Sequence, residues 1–154
     1  MDIHYYKQER TWTCGAASMR MALSTLGIKK SEKQLIRLLG LGKGAYTRNN
    51  AFPKLAEKYK LNYIVQRNST LEDMKKLREQ GYVIIVAYFY RPHNVGHFAV
   101  LRHIGEKTVD LLDPWVGPEH RYSINTFKKI WRSGFEKDKR WFIAIKPNGK
   151  SRNN

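Results

Sequence analysis

A single cysteine, Cys14, stands among 154 residues, so no disulfide can form within the chain and a disulfide-stapled secreted fold is excluded. The N-terminus, Met1-Asp2-Ile3-His4-Tyr5-Tyr6, lacks a basic segment followed by an apolar one, so no signal peptide is read there. Long hydrophobic runs are missing too. The longest, residues 82–90, is too short to span a bilayer and reads as a buried strand. These absences together predict a cytoplasmic chain. Acidic residues are scarce: 13 Asp+Glu face 29 Lys+Arg, a formal net charge of +16. The excess is scattered, with no long basic block and no nucleic-acid motif, so no specific nucleic acid is expected. The charge reads first as a basic solvated surface, and second as a field that could steer an acidic substrate or dock on an anionic surface. His and Cys at metal-ligand spacing are absent, and neither a metal nor another cofactor is expected. Repeats, low-complexity segments and internal linkers are missing as well.

What the chain does have is material for a core. Apolar residues make up 42% of it, with four Trp, nine Tyr and six Phe, which suits a packed globule. The length fits one domain, 1–147, followed by a polar tail, 148–154. The chain is either free-standing or an excised domain. Helical patterns cover residues 14–26, closed by Gly27, then 31–39 and 50–59. The second opens on a capping box, Ser31 with Gln34, and Pro53 lies near the start of the third. Another capping box, Ser69 with Glu72, opens a helix ending at Gly81, and a last helix is expected over 123–132. Strands are expected at 62–66, 82–90, 97–103, 108–112 and 141–145, with a hairpin turn at 105–107. Helices grouped early and antiparallel strands late indicate an α+β fold. The Gly-rich loop at 40–45 lacks both the Gly-Lys-Ser/Thr spacing and the preceding strand of a phosphate-binding loop. It is read as a flexible border of a substrate cleft.

Cys14 opens the first helix. A thiol there faces unpaired backbone N–H groups and the positive end of the helix dipole, both of which favour the thiolate nucleophile. A lone cysteine is equally well a small buried hydrophobe, so partners decide the matter. His97 stands at the mouth of an apolar strand, after Gly96, and is a candidate general base. An acid is needed to orient the imidazole, and Asp110 and Asp113 are both near the end of the next strand, facing opposite sides. Gln8, one short loop before Cys14, could donate to the oxyanion bound by the Cys14 N–H. His93, in the turn before His97, and Trp12 and Trp115 are candidate substrate contacts, as is Gly96. His4, His103 and His120 have no such company.

Gln8, Thr13-Cys14-Gly15-Ala16-Ala17, Gly96-His97-Phe98-Ala99-Val100-Leu101 and Asp113-Pro114-Trp115 stand in a familiar order and spacing. The chain resembles the bacteriocin-leader-processing (double-glycine) cysteine peptidases and their stand-alone relatives, over residues 5–147. The resemblance implies a papain-like fold: a helical half carrying Cys14, an antiparallel sheet half carrying His97 and Asp113, and a cleft between them for a peptide or protein substrate. It also implies Cys14 as nucleophile, His97 as base, Asp113 rather than Asp110 as orienter, and Gln8 in the oxyanion hole. Leader-processing members usually carry an acid just before the cysteine. This chain has Thr13 there, which places it nearer the stand-alone relatives. Two other outcomes use the same residues or none of them: acyl transfer to an amine in a transpeptidase-type reaction, and an inert basic module that binds nucleic acid or an anionic membrane.

Overall fold

The computed structural model describes residues 1–134 and 136–149. The expected polar tail therefore lies, from residue 150 on, outside the described residues. Among the described residues, five α-helices accompany one six-stranded antiparallel sheet. The helices are α1 (Cys14–Thr25), α2 (Glu32–Leu38), α3 (Ala51–Lys58), α4 (Leu71–Glu79) and α5 (Ile124–Ile130). The strands are β1 (Asn62–Gln66), β2 (Val83–Tyr90), β3 (Val95–Ile104), β4 (Thr108–Asp113), β5 (Gly117–Ser123) and β6 (Phe142–Lys146). In space they run β1-β6-β2-β3-β4-β5. None of the helices among the described residues is long and apolar enough to cross a membrane.

The apolar run at 82–90 is explained by the covering of both sheet faces. Val83, Ile85 and Ala87 point to one side, where they meet Met19, Met21 and Leu23 of α1, Leu35 of α2 and Phe52 of α3. Ile84, Val86 and Tyr88 point to the other, against Met74 of α4 and Phe127 and Ile130 of α5. Alternation along one strand thus feeds two cores. Helix α1 is buried along most of its length, from Cys14 to Leu23, which suits its small and unbranched residues.

The α+β reading holds, with adjustments. The capping box of α4 is one residue later than expected. Thr70 Oγ1 accepts from Asp73 N at 3.1 Å and Asp73 Oδ2 accepts from Thr70 N at 2.8 Å, while Ser69 is fully buried. Helix α5 stops at Ile130 rather than 132, and α4 and α5 stand between strands at the positions expected for them. Strand β5 was not expected at all. It is the sheet's outer edge, polar and carrying Pro118, and an edge strand tolerates both.

Candidate active site

Cys14 sits at the first turn of α1, only 4% exposed. Thr13, the residue before the helix, gives no side-chain cap to it. Its hydroxyl is turned back instead, donating to Arg10 O at 2.9 Å and accepting from Arg10 N at 3.1 Å. The first-turn N–H groups of α1 therefore carry no side-chain partner from the cap position.

His97 is brought to Cys14 by β3. A 3-10 turn, Arg91–His93, and a left-handed Asn94 reverse the chain after β2, so that Tyr88 pairs with His97 in the sheet. Asparagine tolerates that backbone region better than most residues. Next to His97, Gly96 lies against the backbone of Gly134: a Cβ on Gly96 would come within 2.5 Å of Gly134 N. Only glycine lets these two segments approach so closely.

Asp113, at the end of β4, is fully buried and receives several donors. His97 Nε2 is 2.8 Å from Oδ1, and the N–H groups of Trp115 and Val116 donate to the same oxygen at 2.9 Å each. The Tyr88 hydroxyl donates to Oδ2 through a short hydrogen bond. Burial pushes the Asp113 carboxyl up, but these donors and the His97 charge outweigh it, and the net shift is downward. For His97, burial opposes the imidazolium. The Cys14 charge and the hydrogen bonds to Asp113 and Cys14 overcome that and push it up to about 10. With Nε2 on Asp113, Nδ1 is the nitrogen left for the Cys14 sulfur.

Gln8 is 5% exposed and joins both sides of the site. Its backbone N–H donates to Pro114 O at 2.9 Å, tying the N-terminal segment to the end of β4. Tyr5 adds a second tie, from its hydroxyl to Asp113 O at 2.6 Å. The Gln8 side chain donates from Nε2 to Arg10 O at 2.7 Å, while Oε1 is buried without a partner. A pocket of about 180 Å³ opens beside Cys14 and His97, lined by Gln8, Tyr46, Tyr90, His93, Gly96 and Trp115. A smaller one of about 80 Å³ also borders Cys14 and His97, bounded by Thr47, Asn49, Phe98 and Ser133.

Cys14, His97, Asp113 and Gln8 are thus brought together, with Gly96, His93 and Trp115 at the pocket. Trp12 is not. The turn closed by Thr13 N on Arg10 O, at 3.3 Å, points Trp12 to a separate groove with Glu32, Ile36 and Lys43. The Gly-rich loop itself stays off the pocket, and the residues just after it, Tyr46 and Thr47, form the wall. Asp110 is engaged elsewhere, with Thr108 at 2.9 Å and Arg121 at 3.3 Å.

Three residues escaped the sequence reading. Tyr88 looked like one more apolar residue of a core strand. His120 and Tyr122 lie on β5, and with that strand unread neither could be placed beside Tyr88. The two are 2.8 Å apart, and both rings pack on Tyr88. Burial raises Tyr122 to about 12 and lowers His120, which favours neutral groups around the buried Asp113 carboxylate. Among the described residues, no three His, Cys, Asp or Glu side chains are grouped to hold a metal ion.

The sequence profile of the Peptidase C39 family matches residues 2–135. No curated protein shows significant sequence similarity. Solved structures do share the fold. The peptidase domain of Streptococcus ComA, a bi-functional ABC transporter involved in a quorum-sensing pathway, superposes with a TM-score of 0.73 at 20% identity, covering 94% of this chain and 100% of that one. A double-glycine-motif protease from an AMS/PCAT transporter, solved with a leader peptide, gives 0.72 at 22% identity over 96% and 93% of the two chains. A C39-like peptidase from Bacillus anthracis gives 0.73 at 12% identity over 96% of each chain.

Proposed function

The chain belongs to the Peptidase C39 family and is a cysteine peptidase, and from that membership we propose that Cys14, His97, Asp113 and Gln8 carry out the hydrolysis. The observation that supports this most is the 2.8 Å contact of His97 with the buried Asp113 while its other ring nitrogen is left to Cys14. In this reaction the Cys14 sulfur attacks the carbonyl carbon of a peptide bond. The oxyanion that forms is held by the Cys14 N–H and by the Gln8 amide, whose second N–H is not used by Arg10. The imidazolium of His97 gives its Nδ1 proton to the departing amine, and a thioester remains. Water then attacks, His97 takes its proton, and the carboxylate product leaves with Cys14 restored.

We further propose that the substrate is a leader peptide with small residues before the scissile bond. The support is the 80 Å³ space beside Cys14, pinched by the approach of Gly96 to Gly134. The first test is a peptide library with Gly-Gly fixed before the scissile position, read by mass spectrometry. Cys14→Ala and His97→Ala should each lower the rate by about four orders of magnitude or more. Full activity in either variant would overturn the assignment.

A further inference from the structure

Glu32, the first residue of α2, is only 2% exposed, yet it makes no ion pair with Lys or Arg among the described residues. Its carboxylate is turned instead onto the loop that precedes α1. The backbone N–H of Glu9 donates to both of its oxygens, 3.1 Å from each. Glu9 directly follows Gln8, and Thr13 directly precedes Cys14. One buried carboxylate therefore grips the backbone next to Gln8, and the Arg10–Thr13 turn carries that hold on to the residue before Cys14.

The rest of the loop is closed mostly on itself. Arg10 O accepts from Gln8 Nε2 at 2.7 Å, from Thr13 Oγ1 at 2.9 Å and from Thr13 N at 3.3 Å. Such a turn joins α1 at Thr13, whose carbonyl accepts from Ala17 N at 3.0 Å, but it does not by itself fix Gln8 and Glu9 against α2 and the sheet. The Gln8 N–H bond to Pro114 O supplies an anchor at one end, and Glu32 supplies one to the helical layer. Arg20 of α1 stands over the same cluster, 3.7 Å from Glu9, with its planar group 3.8 Å above the Tyr6 ring.

We propose that Glu32 is a positioning residue for peptide hydrolysis, holding the Gln8 amide and the Cys14 N–H at the spacing that an oxyanion needs. This rests on the reading of Gln8 and Cys14 above. Glu32 touches no reacting atom, so it acts on the acylation step and not on the nucleophilicity of the thiol. Alkylation by iodoacetamide forms no oxyanion, and it separates the two.

The test compares wild type with Glu32→Gln and Glu32→Ala. Each is assayed for hydrolysis of an acetylated Gly-Gly aminomethylcoumarin amide and for iodoacetamide modification of Cys14. The expected result is a fall in kcat of about tenfold for Gln, which keeps one acceptor oxygen, and about a hundredfold for Ala. KM and the alkylation rate should both stay within about threefold. Unchanged kcat in both variants overturns the role of Glu32 while leaving the peptidase reading intact. A parallel fall in kcat and alkylation also overturns it, since the thiol itself would then be affected. Loss of cooperative melting in the near-isosteric Gln variant marks Glu32 as structural and overturns the role too. A wild type that cleaves nothing overturns the hydrolytic reading, and the role with it.

Discussion

Asp113 shows how much depends on a single buried carboxylate. It serves His97 only while Tyr88 and the Trp115 and Val116 N–H groups keep it charged and oriented. Removing the Tyr88 hydroxyl leaves one carboxylate oxygen short of a donor in a dry site, which costs about 1–3 kcal/mol. For a chain of this length Tyr88→Phe should lower Tm by roughly 2–4 °C per kcal/mol and reduce kcat, measured by calorimetry and peptide hydrolysis. The His97 shift carries a pH prediction with a definite sign. Its value is raised from 6.5 to about 10, so the stabilisation from the imidazolium is complete below 6.5 and is lost as pH rises through about 10. In the proposed mechanism the same deprotonation removes the proton donor for the leaving amine. Wild-type kcat/KM should therefore fall on the alkaline side near pH 10, and Asp113→Asn should move that limb to lower pH. A limb that stays put in the variant would show that Asp113 does not govern the imidazole. At this scale the sequence was informative for Cys14, His97 and Gln8. Asp113 was separable from Asp110 only by family resemblance, because strand parity says which face a residue takes and not which partner waits there.

Two close approaches between elements set the shape of the cleft. At the first turn of α1, a Cβ on Gly15 would lie 2.4 Å from the Thr47 hydroxyl oxygen, and at the mouth of β3 one on Gly96 would lie 2.5 Å from Gly134 N. The first clash is with a short, buried side chain and the second with backbone, so neither relaxes easily. Gly96→Ala should displace His97 relative to Cys14 and lower kcat by about a hundredfold. It should leave the far-UV circular dichroism unchanged, since the core strands do not depend on that contact. Helices and core strands were legible because their apolar periods are strong, and β2 could be read from its unbroken run alone. Strand β5 was not, because an edge strand with Pro118, Glu119 and Arg121 carries no apolar pattern to read. Missing it hid His120 and Tyr122. The position of Trp12 off the pocket was illegible for a similar reason: the Arg10–Thr13 turn decides where that ring points, and its hydrogen bonds are invisible in composition.

The whole molecule carries a formal charge of +16, and few of its cations are paired with carboxylates among the described residues. A field of that size should speed the encounter with acidic peptides, and salt should screen it over about 10 Å at 0.1 M. Cleavage of a peptide with acidic flanks should be faster than that of its basic counterpart at low salt, with the ratio falling towards one as salt rises. A ratio independent of salt would remove charge from the account of substrate choice. Beyond charge, the site is itself a product of the complete fold, because Cys14 comes from the helical layer and His97 and Asp113 from the far ends of two strands. Their meeting is tested most directly by the rate of iodoacetamide alkylation at mildly acidic pH, in wild type and in His97→Ala. Wild-type Cys14 should react at least about tenfold faster than in the variant if His97 activates the sulfur as the proposed mechanism requires. Equal rates in the two proteins would contradict the pairing of Cys14 with His97 and the mechanism built on it.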